Sequence, residues 1–559
     1  MEDDAGIEGD SMVLQQLVWN KENRKERKEL YYHADVLLQN VSGGLHIPAQ
    51  TVVSFDTYFN LFIAKIWKKY TRIEQVQISL TVQGKGLVRL IGAEKCVIGE
   101  QNFSGRQEIL FCIALAENSY FYLEIQTEEE TILESGWIEA IHTPEEIKLA
   151  LVTCTYNRKE ALKKNLQILQ QNNTAQATVL ERIYVIDNAK SLTAEEVEDE
   201  RTVLIPNKNT GGAGGFTRGL REALKQKDIT HIILMDDDVQ IEFEALRRTK
   251  ALLSFLKKEY KEHFLGGAML RMDKPYMLHA AGEDWADGHI FNPYKNTDIR
   301  TCEAVLAVSE GISTKQAYAA WWYCCVPRSH VEQKGYPMPF FLHCDDVEYG
   351  LRSKKAPIYL NGIGVWHEEF DDKRSSVTEY YDVRNRYITN AIYKEKGQVC
   401  DALLTLCERF CATVCRYRYQ DFLLSVQGVE DFLKGADWLY ETDAERLHKS
   451  LGMQGYHPQK VKQKPRHMTY AKKSTWKDVL WYLLPAKGSD VIRMGAPISA
   501  YAKKRQILLV EPKTQKGFVV KKSWMETFKC MYLLIKTSIS LIYNYKKVAM
   551  QWQKKEFPK

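Results

Sequence analysis

The chain has 559 residues, 45% hydrophobic and 27% charged, with a net charge of +5. That composition belongs to a folded protein and excludes a disordered one, and the length exceeds one ordinary core, so two to four domains are expected. The small net charge hides an asymmetry, because residues 451–559 hold 23 Lys and Arg against 5 Asp and Glu while the remainder is net acidic.

The start, Met1-Glu2-Asp3-Asp4, lacks the basic residues and apolar run of a secretion signal. No apolar stretch approaches the roughly 18 to 20 residues that cross a bilayer. A cytoplasmic location is therefore expected. Twelve cysteines without a CxxC pair read as free thiols. Cys400, Cys407, Cys411 and Cys415 recur at helical spacing and are expected on a buried helix face, with no metal assigned.

From Val13 to Ile141 short runs such as Gln75–Gln83 and Ser119–Gln126 alternate apolar and polar residues between turn-forming segments. That pattern predicts an N-terminal β-sandwich over 1–146. At Ile147 the pattern changes. Lys148–Cys154, Ile183–Asp187, Thr202–Ile205 and His231–Met235 read as buried strands, separated by helical stretches through Leu162, Leu166 and Leu169 and through Thr217–Lys225. Alternating strands and helices imply an α/β, doubly wound parallel sheet over 147–394, with ligands gathering at the carboxyl ends of the strands. Residues 395–559 are expected to form a basic, mainly helical region, with an irregular stretch from Tyr456 to Lys522 and a helix from Trp524 to about Tyr545.

The polar residues ending those strands are the candidates for chemistry. Asp236-Asp237-Asp238 follows a buried strand, where three carboxylates repel one another unless something positive joins them. A divalent cation gripping a diphosphate supplies that charge; a solvated acidic turn is the alternative. The segment Asn207 to Phe216 has four glycines in five residues ahead of a helix, which permits close backbone approach to a ligand or simply a tight connection. Asp345-Asp346 stands at the start of a helix, where one carboxylate can serve as a base or as an N-cap. His367 ends a further apolar run, on the sheet edge shared with the carboxylates. Trp321-Trp322 offers faces for sugars, or core filling.

In their order, Thr153 to Arg158, Asp187-Asn188, the glycine-rich segment, the triple aspartate, Trp321-Trp322, Asp345-Asp346 and His367 resemble the motifs of family 2 glycosyltransferases of the GT-A fold. The resemblance is closest to the galactofuranosyltransferases, whose layout also has a β-sandwich before the catalytic domain and a helical region after it. It implies an inverting, metal-dependent transfer of galactofuranose from UDP-galactofuranose to a glycan or lipid-linked glycan acceptor in cell-surface polysaccharide synthesis. Arg158, Asp187, Asn209, Gly212, Asp236 and Asp237 would lie at the nucleotide-sugar donor, with Asp187 near the uracil. Asp236, Asp238 and His367 would hold Mn²⁺ or Mg²⁺. Asp346 would be the catalytic base with Asp345 beside it, and Trp321, Trp322 and Glu283 would meet the acceptor.

The basic tail fits an anionic membrane surface, which implies a peripheral location at the inner face of the cell membrane. A basic helical face used in homo-oligomer contacts is the other reading, and no motif supports nucleic-acid binding. Two alternatives to the function remain at this point: the same fold with another donor, such as dTDP-rhamnose or a UDP-pyranose, and an inert glycan-binding or scaffold protein.

Overall fold

The computed structural model describes residues 11–19, 25–174, 178–286, 288–312, 317–369, 375–395, 398–465 and 476–555. The acidic start Met1-Glu2-Asp3-Asp4 lies outside them.

Eight strands between Met12 and Ala140 share one hydrogen-bonded network. Its spine is the antiparallel hairpin of Gln75–Ile91 with Val97–Ala114. The other edge of Gln75–Ile91 changes partner midway. Val76 to Gln83 pair with Thr131–Ala140, whereas Gly86 to Ile91 pair with Tyr122–Thr127. The changeover falls on glycine for a steric reason: a Cβ on Gly84 would stand 2.8 Å from the Glu130 carbonyl oxygen, and one on Gly86 2.2 Å from that of Gln126. Side chains there would push the neighbouring strands away, so glycine lets the ribbon change partners. Val76, Ile78, Leu80, Val82, Val88 and Leu90 are buried in the core on alternate positions of the strand. This is the N-terminal sheet domain that the alternation predicts.

The second sheet has ten strands. Thr202–Pro206, Leu180–Asp187, Leu149–Thr155 and His231–Asp236 lie side by side and parallel in that order. Cys324–Pro327 then runs antiparallel to His231–Asp236, and Leu265–Arg271 bridges Cys324–Pro327 to Ile358–His367. The α/β arrangement with a parallel core of strands, expected from the sequence, is thus present.

One boundary differs from expectation. The glycine-rich segment is not a loop before the helix: the helix already begins at Gly211 and runs to Lys225. A Cβ on Gly215 would stand 2.1 Å from Cys154 Sγ, and one on Gly219 2.1 Å from Val152 Cγ1. The glycines therefore seat the helix directly on the central strand, which outweighs their low helix propensity.

Beyond the second sheet, Ser376–Tyr393 packs against Tyr419–Leu433 and Trp524–Lys554. The basic stretch expected to be irregular instead contains a four-stranded sheet of Gln459–Lys460, Lys516–Lys521, Gln506–Glu511 and Ser489–Arg493. Ile507, Leu509 and Val520 bury its inner face. The cysteine helix, Gln398–Val414, also departs from expectation. It buries Ala402, Leu406 and Val414, whereas Cys400 and Cys407 are exposed and Cys411 is half-buried; Cys415, just past its end, is buried as expected. Aliphatic side chains take the inner face in preference to thiols. Among the described residues, no helix is long and apolar enough to cross a membrane.

Candidate active site

The carboxyl ends of the four parallel strands bring together groups distant in sequence. Asp187 lies in register with Thr155 and Pro206, and Asp236 with Cys154. The Asp187 carboxylate is buried and accepts hydrogen bonds from the amides of Ala189 at 2.9 Å, Ser191 at 2.6 Å and Leu192 at 2.9 Å. It therefore organises its own turn. The next residue extends the arrangement: Asn188 Nδ2 donates to the Gly211 carbonyl at 2.9 Å, and Asn207 Nδ2 to Asn188 Oδ1 at 2.8 Å. Asn209 Oδ1 accepts from the Gly211 amide at 3.1 Å. Gly212 faces Asp345, whose Oδ2 is 3.7 Å from where a Cβ would be. A side chain at Gly212 would enter the carboxylate pocket.

The triple aspartate lies between two basic groups. Arg158 Nη1 is 2.6 Å from Asp238 Oδ2 and 3.3 Å from Asp237 Oδ1, while His367 Nε2 is 3.0 Å from Asp238 Oδ1. His367 arrives from 129 residues away by strand pairing, because Gln240 and Ile241 run antiparallel to Trp366 and Val365. Burial pushes the Asp236 carboxyl up to about 7, with Asp238 and Asp237 adding repulsion against the opposing pull of His367 and Arg158. Burial likewise takes Asp237 up to about 6. One ligand atom from each of Asp236, Asp238 and His367 fits within 4.8 Å of the others. Two carboxylates and one imidazole form a donor set suited to a hard or borderline divalent cation.

Asp345 is the first residue of the helix Asp345–Ser353; Cys344 occupies the cap position that the sequence offered to Asp345. Burial raises both Asp345 and Asp346 above the usual carboxylate range. Asp346 accepts from the Val347 amide at 2.8 Å and is repelled by Asp236. Glu283 is pushed up to about 8 by burial and then by Asp346. Glu283, Asp346 and Asp236 thus form a file of mutually repelling acids leading to the proposed cation ligands, the kind of cluster that marks a functional cleft.

The loop before Asp345 is held in an unusual shape. Phe341, His343 and Cys344 all have positive φ, at 73°, 63° and 63°. The helix Ser376–Tyr393 ties this loop down: Asn385 Nδ2 donates to the carbonyls of Leu342 at 2.7 Å and His343 at 2.9 Å, and Arg384 Nη2 to that of Phe340 at 2.6 Å. Such strain persists where surrounding contacts over-determine it.

The two tryptophans are largely interior. Trp321 is 5% exposed and packs edge-on to Phe216, with ring centroids 5.1 Å apart; Trp322 is 8% exposed and donates from Nε1 to the Gly267 carbonyl at 2.8 Å. Sequence reasoning missed three groups here. Asn385 and Arg384 shape the base-bearing loop, and no local pattern announces them. His343, bonded through Nδ1 to Asp382 at 2.5 Å, adjoins the acid pair and was legible from its place in Leu342-His343-Cys344-Asp345.

Fold and site together resemble those of family 2 glycosyltransferases: residues 150–294 match "Glycosyl transferase family 2", and residues 18–140 match "Galactofuranosyltransferase 2 N-terminal". Within that class the chain is similar to galactofuranosyltransferase GlfT2 of Mycobacterium tuberculosis, with 26% identity over 437 residues, 71% of this chain and 67% of that protein. Its similarity to GlfT2 of Mycolicibacterium smegmatis is also 26%, over 434 residues, 71% of this chain and 66% of that protein. The matches thus span about two thirds of the relatives' length. Among solved structures, mannosyltransferase PcManGT from Pyrobaculum calidifontis, in complex with GDP-Man and Mn²⁺, is 13% identical with a TM-score of 0.31, over 55% of this chain and 81% of that one.

Proposed function

We propose that the chain is an inverting, metal-dependent galactofuranosyltransferase that uses UDP-galactofuranose and extends a lipid-linked glycan. The observation that carries this reading is the file Glu283, Asp346, Asp236, which sets a proton-binding carboxylate beside a diphosphate-binding one. The sequence relationship to galactofuranosyltransferases supplies the sugar.

Asp236, Asp238 and His367 would hold Mn²⁺ or Mg²⁺, which when bound offsets the charge developing on the departing diphosphate. Arg158 adds a fixed cation beside the same carboxylates. The helix starting at Gly211 turns free amides toward the donor edge, where a phosphate is favoured. Asp346 takes the proton of the acceptor hydroxyl as that oxygen attacks the anomeric carbon from the face opposite the nucleotide, so configuration inverts. Its burial raises its affinity for that proton and suits it to the task. In this reading Glu283 orients sugar hydroxyls, and Asp345 keeps the base region polar between Gly212 and Asp346. Asp187 supports the nucleotide edge through its turn, and the residual exposed edges of Trp321 and Trp322 border the acceptor.

For location we propose the periphery of an anionic membrane. The helix Trp524–Lys554 exposes Met525, Phe528, Tyr532, Ile535, Ile539 and Ile542 at intervals of three and four, next to Lys529 and Lys536. Apolar residues flanked by lysines bind an acidic interface, each lysine adding roughly 1 kcal/mol.

Product-linkage analysis with a set of donors and acceptors tests the activity. Release of UDP and transfer from UDP-galactofuranose are expected. Turnover only with dTDP-rhamnose or a UDP-pyranose would replace the donor, and no turnover with any donor would favour an inert glycan-binding role. Sedimentation with anionic vesicles, reversed by salt, tests the location against self-association through the same helix.

A further inference from the structure

The two short segments that bring His367 to Asp238 are also gripped from outside the catalytic sheet. Arg27, near the N-terminus and 7% exposed, places its guanidinium carbon 3.9 Å from the centroid of the Trp366 ring. Its Nη2 donates to Gln240 Oε1 at 2.6 Å. One turn further on, the Tyr31 hydroxyl donates to the Glu242 carboxylate. Trp366 immediately precedes His367, and Gln240 follows Asp238 by two residues. Since Gln240 pairs with Trp366 through the backbone, one guanidinium holds both sides of the pairing that sets the distance between two proposed cation ligands.

The grip is backed by packing. Phe59 lies 5.7 Å from Trp366, centroid to centroid, and the Trp366 Nε1 donates to the Pro275 carbonyl at 2.9 Å. Trp366 is therefore held on several sides, and Arg27 touches both segments at once, stacking on Trp366 and bonding to Gln240. Planar stacking and a directional fork are what guanidinium supplies and an ammonium does not.

We infer that Arg27 of the N-terminal domain is a positioning residue for the cation site, fixing the register of Gln240 against Trp366 and through it the approach of His367 to Asp238. This rests on the reading of Asp236, Asp238 and His367 as cation ligands. The N-terminal domain is then part of the catalytic apparatus, beyond any role in binding glycan. Partners one layer behind the ligands commonly change metal affinity by about 10- to 100-fold when removed.

The test uses the full chain. Mn²⁺ is titrated calorimetrically in the presence of UDP into wild type, Arg27→Met, Arg27→Lys, Gln240→Leu and Asp238→Asn, with thermal unfolding followed in parallel. Arg27→Met is expected to weaken Mn²⁺ binding about tenfold or more while remaining folded, and Arg27→Lys to recover part of the loss. A purely structural grip would lower the unfolding temperature and leave the Mn²⁺ Kd of the folded protein unchanged; that result overturns the inference. Should Arg27→Met not fold, Gln240→Leu decides in the same way, since it removes the fork from the other side. Loss of binding in Asp238→Asn with wild-type Kd in the Arg27 and Gln240 variants refutes the positioning role alone. Unchanged binding in Asp238→Asn refutes the cation reading itself.

Discussion

His367 Nε2 stands 3.0 Å from Asp238 Oδ1, although 129 residues separate them. Burial works against charge on His367, but the Asp238 contact outweighs it and the imidazole holds its proton more firmly than usual. A cation must displace that proton. His367→Ala and Asp238→Asn should each lower turnover by roughly 10³-fold, and chelation should suppress the wild type. Mn²⁺ affinity should fall as pH is lowered, as the imidazole and the Asp236 carboxyl, raised to about 7, take up their protons. Calorimetric titration at several pH values checks this, and a flat profile would remove His367 from the ligand set.

Asp346→Asn keeps the shape of the site but cannot accept a proton. Turnover should fall about 10²- to 10⁴-fold while UDP affinity stays within a factor of a few. Single-turnover transfer alongside UDP titration separates the two. Asp345→Asn, one residue nearer Gly212, should be the milder change, and equal losses would make the pair act as a unit.

Glu283 is buried with its pKa raised to about 8, above the 4.5 of an unperturbed glutamate. The folded state therefore binds the proton more tightly than the unfolded state. Its stability is fully present below about pH 4.5 and is lost as pH rises through about 8. Glu283→Gln removes this dependence. The variant should match wild type near roughly pH 4 and exceed it by on the order of a few kcal/mol near roughly pH 9, while losing activity. Denaturant unfolding at both pH values checks the sign.

Replacing a helical glycine by alanine usually adds up to about 1 kcal/mol of stability. At Gly219 the new methyl would meet Val152 Cγ1 at 2.1 Å, against a buried central strand. Overpacking of that kind costs about 1 to 3 kcal/mol and should win. Gly219→Ala is expected to lower the midpoint of chemical unfolding, and a rise would show that the helix can shift on the sheet.

Asn385 offers its amide hydrogens to the Leu342 and His343 carbonyls beneath a loop with three positive φ angles. Asn385→Leu leaves those carbonyls without their buried donor, at a cost of roughly 1 to 3 kcal/mol. With the loop less constrained, kcat should fall more than KM rises. Steady-state kinetics at a temperature well below unfolding distinguishes this from simple loss of folded protein.

Much of this protein could be read along the chain. Alternation in Gln75–Gln83 and continuous apolar runs ending in Asp187 and Asp236 depend on local periodicity, and periodicity survives in a linear string. The triple aspartate was conspicuous because like charges rarely gather without a purpose. Other features depended on who lies opposite whom. The glycines from Gly211 to Gly215 looked like a loop, yet they open a helix, and the surfaces of Cys154 and Val152 are the reason for Gly215 and for Gly219 further along it. Sequence left Trp321 and Trp322 between sugar contact and core filling, and only the fold shows how far Phe216 and the Gly267 carbonyl bury them. The cysteine stripe lost the inner face of its helix to Ala402, Leu406 and Val414. The grip of Arg27 on Trp366 and Gln240, and of Asn385 on the loop before Asp345, had no local signature at all. Residue type and spacing determined which groups could carry charge and where strands would end; tertiary packing decided which carboxylates face each other and how strongly burial holds their protons, because desolvation and repulsion depend on distances that only the folded chain sets.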